Sequence, residues 1–153
     1  MENEKMSVEQ LIAEYKEDVA RLVRYIPWLE SKKGIDVASS YSGDQSSESS
    51  LVFPVYDGTL MSFVKESKNT KLMNHNYAYS YSRYHLRTTE DEWKAIEKAT
   101  IKEFDLLKGI FSKYILQGMT KSRMWIEGVE NKIFLNLLLK MKEIIEFWDK
   151  PLV

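Results

Sequence analysis

The stretch Thr100–Trp148, TIKEFDLLKGIFSKYILQGMTKSRMWIEGVENKIFLNLLLKMKEIIEFW, constrains this chain more than any other. Ile101, Phe104, Leu107, Ile110, Phe111, Tyr114 and Ile115 fall on one broad face of a helix that Gly118 is expected to end. Ile133, Phe134, Leu137, Leu138, Met141, Ile144, Ile145 and Trp148 mark a second helix closed off by Pro151. A shorter helix lies between them, capped at Thr120 or Ser122, with Met124, Trp125 and Val129 inward and Asn131 as the expected left-handed turn residue. Helices this apolar must bury their faces against other helices, which predicts an all-α fold.

The front of the chain supplies a partner. Ser7 and Gln10 have the spacing of a capping box. Val8, Leu11, Ile12, Tyr15, Val19, Leu22, Val23 and Ile26 follow as one face, and Pro27 ends or kinks the helix. From Ser39 to Ser50 seven of twelve residues are serine, which predicts a mobile surface loop at 39–50. Phosphorylation or ordering by a partner is the functional alternative there. Leu51–Tyr56 is apolar but holds Pro54, so it reads as an extended piece or one edge strand. Asp57 is placed to cap a helix over 59–67 with Leu60, Phe63 and Val64 inward. Thr89 with Glu92, and Thr100 with Glu103, read as two further capping boxes, with Trp93, Ile96 and Glu97 along the inner edge of the first helix.

The expected architecture is one domain over residues 1–153, with five to six helices, one short extended segment and the serine-rich loop. Its core combines the helix at the front with those at 101–117 and 132–148. A chain of 153 residues fits one domain of common size and can bury roughly 70% of its unfolded surface. No segment repeats at a fixed period.

Composition removes several function classes. There is no cysteine, hence no disulfide, thiolate zinc site or cysteine nucleophile. The basic and acidic totals, 22 and 23, steer the chain toward neither nucleic acid nor an acidic surface. The acidic start, MENEKMSVEQ, lacks the pattern of a signal peptide, and no apolar run approaches the ~20 residues of a membrane span. A cytoplasmic protein without membrane attachment is expected.

The six glycines are scattered, with no phosphate-binding loop, and neither H-E-x-x-H nor a nucleophile elbow occurs. His75 and His85 could share a metal with a carboxylate such as Asp91, but zinc favours three or four convergent ligands, and two exposed or hydrogen-bonded histidines are the expectation. Glu127 and Glu130 sit three apart on the short helix, where surface glutamates are commoner than acid–base pairs. No cofactor and no metal are implied.

Leu72–Arg87, LMNHNYAYSYSRYHLR, is the unusual segment. Tyr77, Tyr79 and Tyr81 alternate with small residues at strand period, whereas a helix would group Tyr77, Tyr81, Tyr84 and His85. An extended or irregular start running into a turn is the expectation. Residues 65–87 hold five basic side chains (Lys65, Lys68, Lys71, Arg83, Arg87) against the single acid Glu66. Rings for stacking and cations for phosphates suit single-stranded nucleic acid. Tyrosine, arginine and tryptophan also anchor protein interfaces. The candidate binding residues are Tyr77, Tyr79, Tyr81, Arg83, Tyr84, His85 and Arg87, joined by Arg123 and Trp125 of the short helix. Lys121–Trp148 has helix-turn-helix proportions, but its second helix is too apolar to read a groove.

Gly118–Glu143, together with Tyr25-Ile26-Pro27-Trp28 and Phe53-Pro54-Val55-Tyr56, resembles an uncharacterised family of small bacterial proteins, a domain of unknown function. The resemblance implies a mostly helical single domain and carries no activity, cofactor or catalytic residue. The serine-rich loop and the tyrosine run lie outside its pattern. The expected function is a non-catalytic protein-interaction or regulatory module with an unknown protein partner. Single-stranded nucleic-acid binding through 65–87 is the alternative, and an enzyme of unknown class a second one.

Overall fold

The computed structural model describes residues 7–32, 38–40, 54–56 and 58–149, with backbone alone at 38–40 and 54–56. The fold is all-α, with eight α-helices among the described residues and one minimal strand pair. In chain order the elements are α1 (Val8–Val23), α2 (Ile26–Lys32), β1 (Ala38–Ser40), β2 (Pro54–Tyr56), α3 (Gly58–Lys68), α4 (Tyr77–Arg83), α5 (Thr89–Lys98), α6 (Phe104–Gln117), α7 (Arg123–Glu130) and α8 (Ile133–Trp148). A 3-10 turn over Ile101–Glu103 leads into α6.

Helix α1 starts as the sequence predicts. Ser7 Oγ accepts from the Gln10 amide at 3.1 Å, and Gln10 Oε1 accepts from the Ser7 amide at 3.0 Å. Pro27 does not merely stop this helix. It lies in the first turn of α2, where its missing N–H is no loss. Splitting the front helix in this way, and forming α4, raises the count above the expected six. In the serine-rich stretch, Ser39 and Ser40 are paired strand residues facing Val55 and Pro54 across an antiparallel ladder. The rest of the expected loop, 41–50, lies outside the described residues, as do Asp57 and Pro151.

Helix α8 is the centre. It packs against α1, α2, α5, α6 and α7, and Ile133, Phe134, Leu137, Leu138 and Met141 are fully sealed from solvent. Phe134 meets Phe63 of α3 edge-on at 5.0 Å between centroids, Phe111 of α6 at 6.0 Å and Tyr114 at 5.9 Å. Edge-to-face geometry at these distances adds to the gain from burial. Trp148, expected inward, is 45% exposed at the end of the helix.

Two glycines are there for close approach. A Cβ on Gly128 would come within 2.5 Å of the Phe134 ring, and one on Gly118 within 2.1 Å of the Trp125 indole. Gly118 has φ −65°, so it ends α6 without the left-handed turn its identity suggests. The left-handed residue after α7 is Lys132 (φ 68°) and not Asn131 (φ −86°). Thr100 and Glu103 form the expected capping box, on the 3-10 turn. The box before α5 is displaced by one residue. Thr88 Oγ1 accepts from the Asp91 amide at 3.0 Å, and Asp91 Oδ2 accepts from the Thr88 amide at 3.1 Å. This frees Glu92 for the interior.

Candidate functional site

The expected irregular start is found at 72–76, but the tyrosine run from Tyr77 to Arg83 winds into helix α4 and is not extended. Helix α4 lies on α6, and Ser80 makes that possible. It is buried against Gly109, where an added Cβ would stand 2.7 Å from Ser80 Oγ. An isolated strand here would have no ladder partner for its amides, whereas a short helix satisfies its own.

The chain leading into α4 is strapped on both sides. Asp18 of α1, itself buried, accepts from the Lys71 amide at 2.9 Å. Ser112 of α6 accepts from the Asn74 amide at 2.7 Å and donates to the Leu72 carbonyl at 3.3 Å. At the far end α4 closes in a Schellman arrangement. The Leu86 amide donates to the Tyr81 carbonyl at 3.0 Å and the His85 amide to the Ser82 carbonyl at 3.3 Å. His85 itself is left-handed at φ 58°. Histidine is one of the few non-glycine residues found there with any frequency.

The helical winding disperses the tyrosines. Tyr81 turns inward and donates to Glu92 Oε2 at 2.6 Å, while Tyr114 of α6 donates to Glu92 Oε1 at 2.6 Å. Glu92 is 3% exposed. Lys113 Nζ stands 3.7 Å from the same carboxylate and 4.4 Å from the Tyr81 ring centroid. Burial first, and then the Glu92 carboxylate through its charge and its hydrogen bonds, raises both the Tyr81 and the Tyr114 hydroxyls far above the usual tyrosine range. This cluster ties α4, α5 and α6 together. Sequence reasoning missed it because Glu92 resembles a capping residue.

Outward, Tyr79 is 58% exposed and shares a cleft of about 290 Å³ with Arg83, Tyr84, Asn74, Asp105 and Lys108. Arg83 has no carboxylate within ion-pair distance among the described residues. Its guanidinium rests 5.4 Å from the Tyr84 ring centroid. Tyr77 is half-buried at the first turn of α4. His85 faces a separate hollow beyond the turn, shared with Lys94, Lys98 and Glu103, and Arg87 is exposed past it.

Arg123 and Trp125 do not extend the cleft as a common aromatic and basic surface. Trp125 is 8% exposed, packed over Gly118, and its indole N–H donates to the Ile115 carbonyl at 3.0 Å. Arg123 is exposed and pairs along its own helix with Glu127 (3.9 Å) and Glu130 (3.6 Å). Among the described residues no group of three or more His, Asp or Glu side chains could hold a metal ion, and no helix is long and apolar enough to cross a membrane.

A larger groove of about 430 Å³ runs between α5 and α8, with Trp93 and Leu139 each 39% exposed. Two of its charges, Lys140 and Glu143, are paired with each other. Lys140 donates to the Glu97 carbonyl at 3.0 Å and pairs with Glu143 at 3.6 Å. The Trp93 indole N–H donates to the Asn131 carbonyl at 2.8 Å. Trp93, expected along an inner edge, therefore serves as a surface clasp between α5 and the start of α8. The α4 cleft presents Arg83 with no carboxylate at ion-pair distance among the described residues, beside exposed Tyr79.

No family model, curated protein or solved structure matches the chain.

Proposed function

We propose that this chain is a non-catalytic protein-interaction module whose docking face is the cleft beside α4. The observation that carries the reading is the combination of exposed Tyr79 and uncommitted Arg83 on a helix strapped to its neighbours at both ends. Tyrosine and arginine dominate binding energy at interfaces. A helix already ordered before binding loses little further entropy when a partner arrives.

Single-stranded nucleic acid is the weaker reading. Inward Tyr81 removes one of four rings from the stacking set, and Tyr77 and Tyr79 no longer share the face a strand would give them. Lys71 is 3.8 Å from Glu14, which reduces the free basic run.

Parallel affinity capture from the native host tests the proposal, with wild-type protein and Tyr79→Ala/Arg83→Glu as baits. A protein retained by the first and lost by the second, and then bound by purified wild type, is the expected result. Identical capture by both baits would sink the docking reading. Salt-sensitive retention of a single-stranded oligonucleotide that the double variant loses would move the assignment to nucleic acid.

A further inference from the structure

We propose that the α4 cleft contains an anion subsite, formed by Lys108 and Arg83, that takes a carboxylate from an acidic residue of the partner. The inference rests on the α4 cleft being the docking face.

Lys108 projects from α6 with only 13% of its side chain exposed. An ammonium has three donors. One goes to the Tyr15 hydroxyl at 2.6 Å, a neutral acceptor within the core. The nearest carboxylate, Asp105, is 3.5 Å away and 89% exposed, so it is held chiefly by solvent. With one hydrogen bond, the Tyr15 ring centroid at 4.5 Å and an exposed counter-ion, this largely buried ammonium keeps donors for an incoming anion.

The wall of the cleft is contributed by Arg83, whose planar fork matches a carboxylate at two points. Two cations against the one exposed carboxylate of Asp105 leave the hollow net positive. The hollow accommodates one acidic side chain and not a folded segment, and Tyr79 at its edge supplies a ring against which the partner's backbone can rest. Asp105 swings outward as the incoming carboxylate replaces it. The remainder of the lining is neutral: Asn74, Ser80, Met73 and Tyr84.

The test uses the full chain and sodium acetate as the probe. Amide chemical shifts are followed by NMR during acetate titration, with sodium chloride at matched ionic strength as the reference. Saturable shifts confined to residues around 74–84 and 105–109, absent with chloride, are expected. Lys108→Gln should weaken acetate binding by about tenfold, the loss of one charge-assisted hydrogen bond. Because Lys108 also supports Tyr15, Arg83→Gln at the exposed wall is the second variant and should weaken binding comparably. Lys108→Arg should retain it.

Shifts that do not saturate, or that match those with chloride, would overturn the subsite. So would inorganic phosphate binding more than about tenfold tighter than acetate, which would reassign the site to phosphate recognition. If acetate binds here while capture is insensitive to Tyr79→Ala/Arg83→Glu, the docking reading fails and the subsite stands. If capture depends on that pair while acetate does not bind, the reverse holds.

Discussion

Replacing Glu92 by alanine is expected to be among the most damaging single changes on the surface between α4 and α6. The carboxylate accepts from two phenol groups at 2.6 Å each, in a site 3% exposed, with Lys113 as its cation at 3.7 Å. A hydrogen bond to a charged acceptor is worth about 1.5–3 kcal/mol net. Removing the acceptor also strands two hydroxyls, of which that of Tyr114 is buried. Part of the loss is returned because Lys113, 28% exposed, can turn to water. The balance is a loss of about 3–5 kcal/mol, the range for breaking a buried ionic cluster from one side. Natural domains have only about 5–15 kcal/mol in all.

Urea denaturation followed by circular dichroism at neutral pH measures this directly, provided the m-value is unchanged. Glu92→Gln keeps one acceptor oxygen and should lose less, about 1–2 kcal/mol. A loss under about 1 kcal/mol for Glu92→Ala, with constant m, would mean that the cluster does not hold the helices together. The double-mutant cycle of Glu92→Gln with Tyr81→Phe isolates the α4 arm, and a coupling near zero would refute its role in seating the cleft. Hydrogen exchange adds the local readout: in Tyr81→Phe, amides of α4 should exchange faster while those of α8 keep their protection.

Alkaline pH should weaken the fold through the same cluster. Both tyrosine hydroxyls titrate higher in the folded chain than their unfolded value near 10, so their contribution is intact below that pH and declines as pH rises beyond it. The slope is about 1.4 kcal/mol per pH unit for each tyrosine, and Tyr81→Phe should flatten it. Gly118→Ala should lose about 1–3 kcal/mol through collision with Trp125, although alanine suits a helical φ better, while Gly58→Ala, with nothing near its Cβ, should be neutral or stabilising in the same melt. Ser67→Ala should hold or raise stability by about 1 kcal/mol, because Ser67 Oγ is buried without a hydrogen-bond partner among the described residues. A loss above that would show that the hydroxyl has a partner after all.

The helices that could be read from sequence are those whose burial is expressed as a period. α1, α6 and α8 each have an unbroken apolar face, and the aromatic contacts of Phe134 follow once those faces meet. Ser122, read as a cap of α7, makes no side-chain capping bond, but capping-box chemistry was readable to within one residue. It failed at Thr88–Asp91 because T-T-E-D-E offers two overlapping boxes, and the choice between them is made by tertiary contacts. Two tyrosines distant in sequence, Tyr81 and Tyr114, need the Glu92 carboxylate, and Asp91 one position earlier suffices for the cap. Left-handed residues were equally undetermined. They fell to His85, a type enriched there, and to Lys132, a type that is not, because the following residue, Leu86 or Ile133, has to turn into the core.

The same reasoning explains why the tyrosine segment could not be assigned from its own pattern. YAYSYSR satisfies a strand period by composition, but a strand is stable only beside another strand, and that information lies elsewhere in the chain. What decides for helix is Gly109, whose missing side chain opens a slot for Ser80, and Glu92, which gives Tyr81 a reason to face inward. Both act at a distance in sequence and neither leaves a local signature. Their effect on the candidate site is selective. They remove Tyr81 from the surface and leave Tyr79 and Arg83 projecting from a helix that cannot easily rearrange. A segment that looked like a uniform aromatic and basic face becomes a single cleft with two uncommitted anchors. That is a geometry suited to recognising one side chain of a partner, and less suited to tracking a polymer of repeating charge.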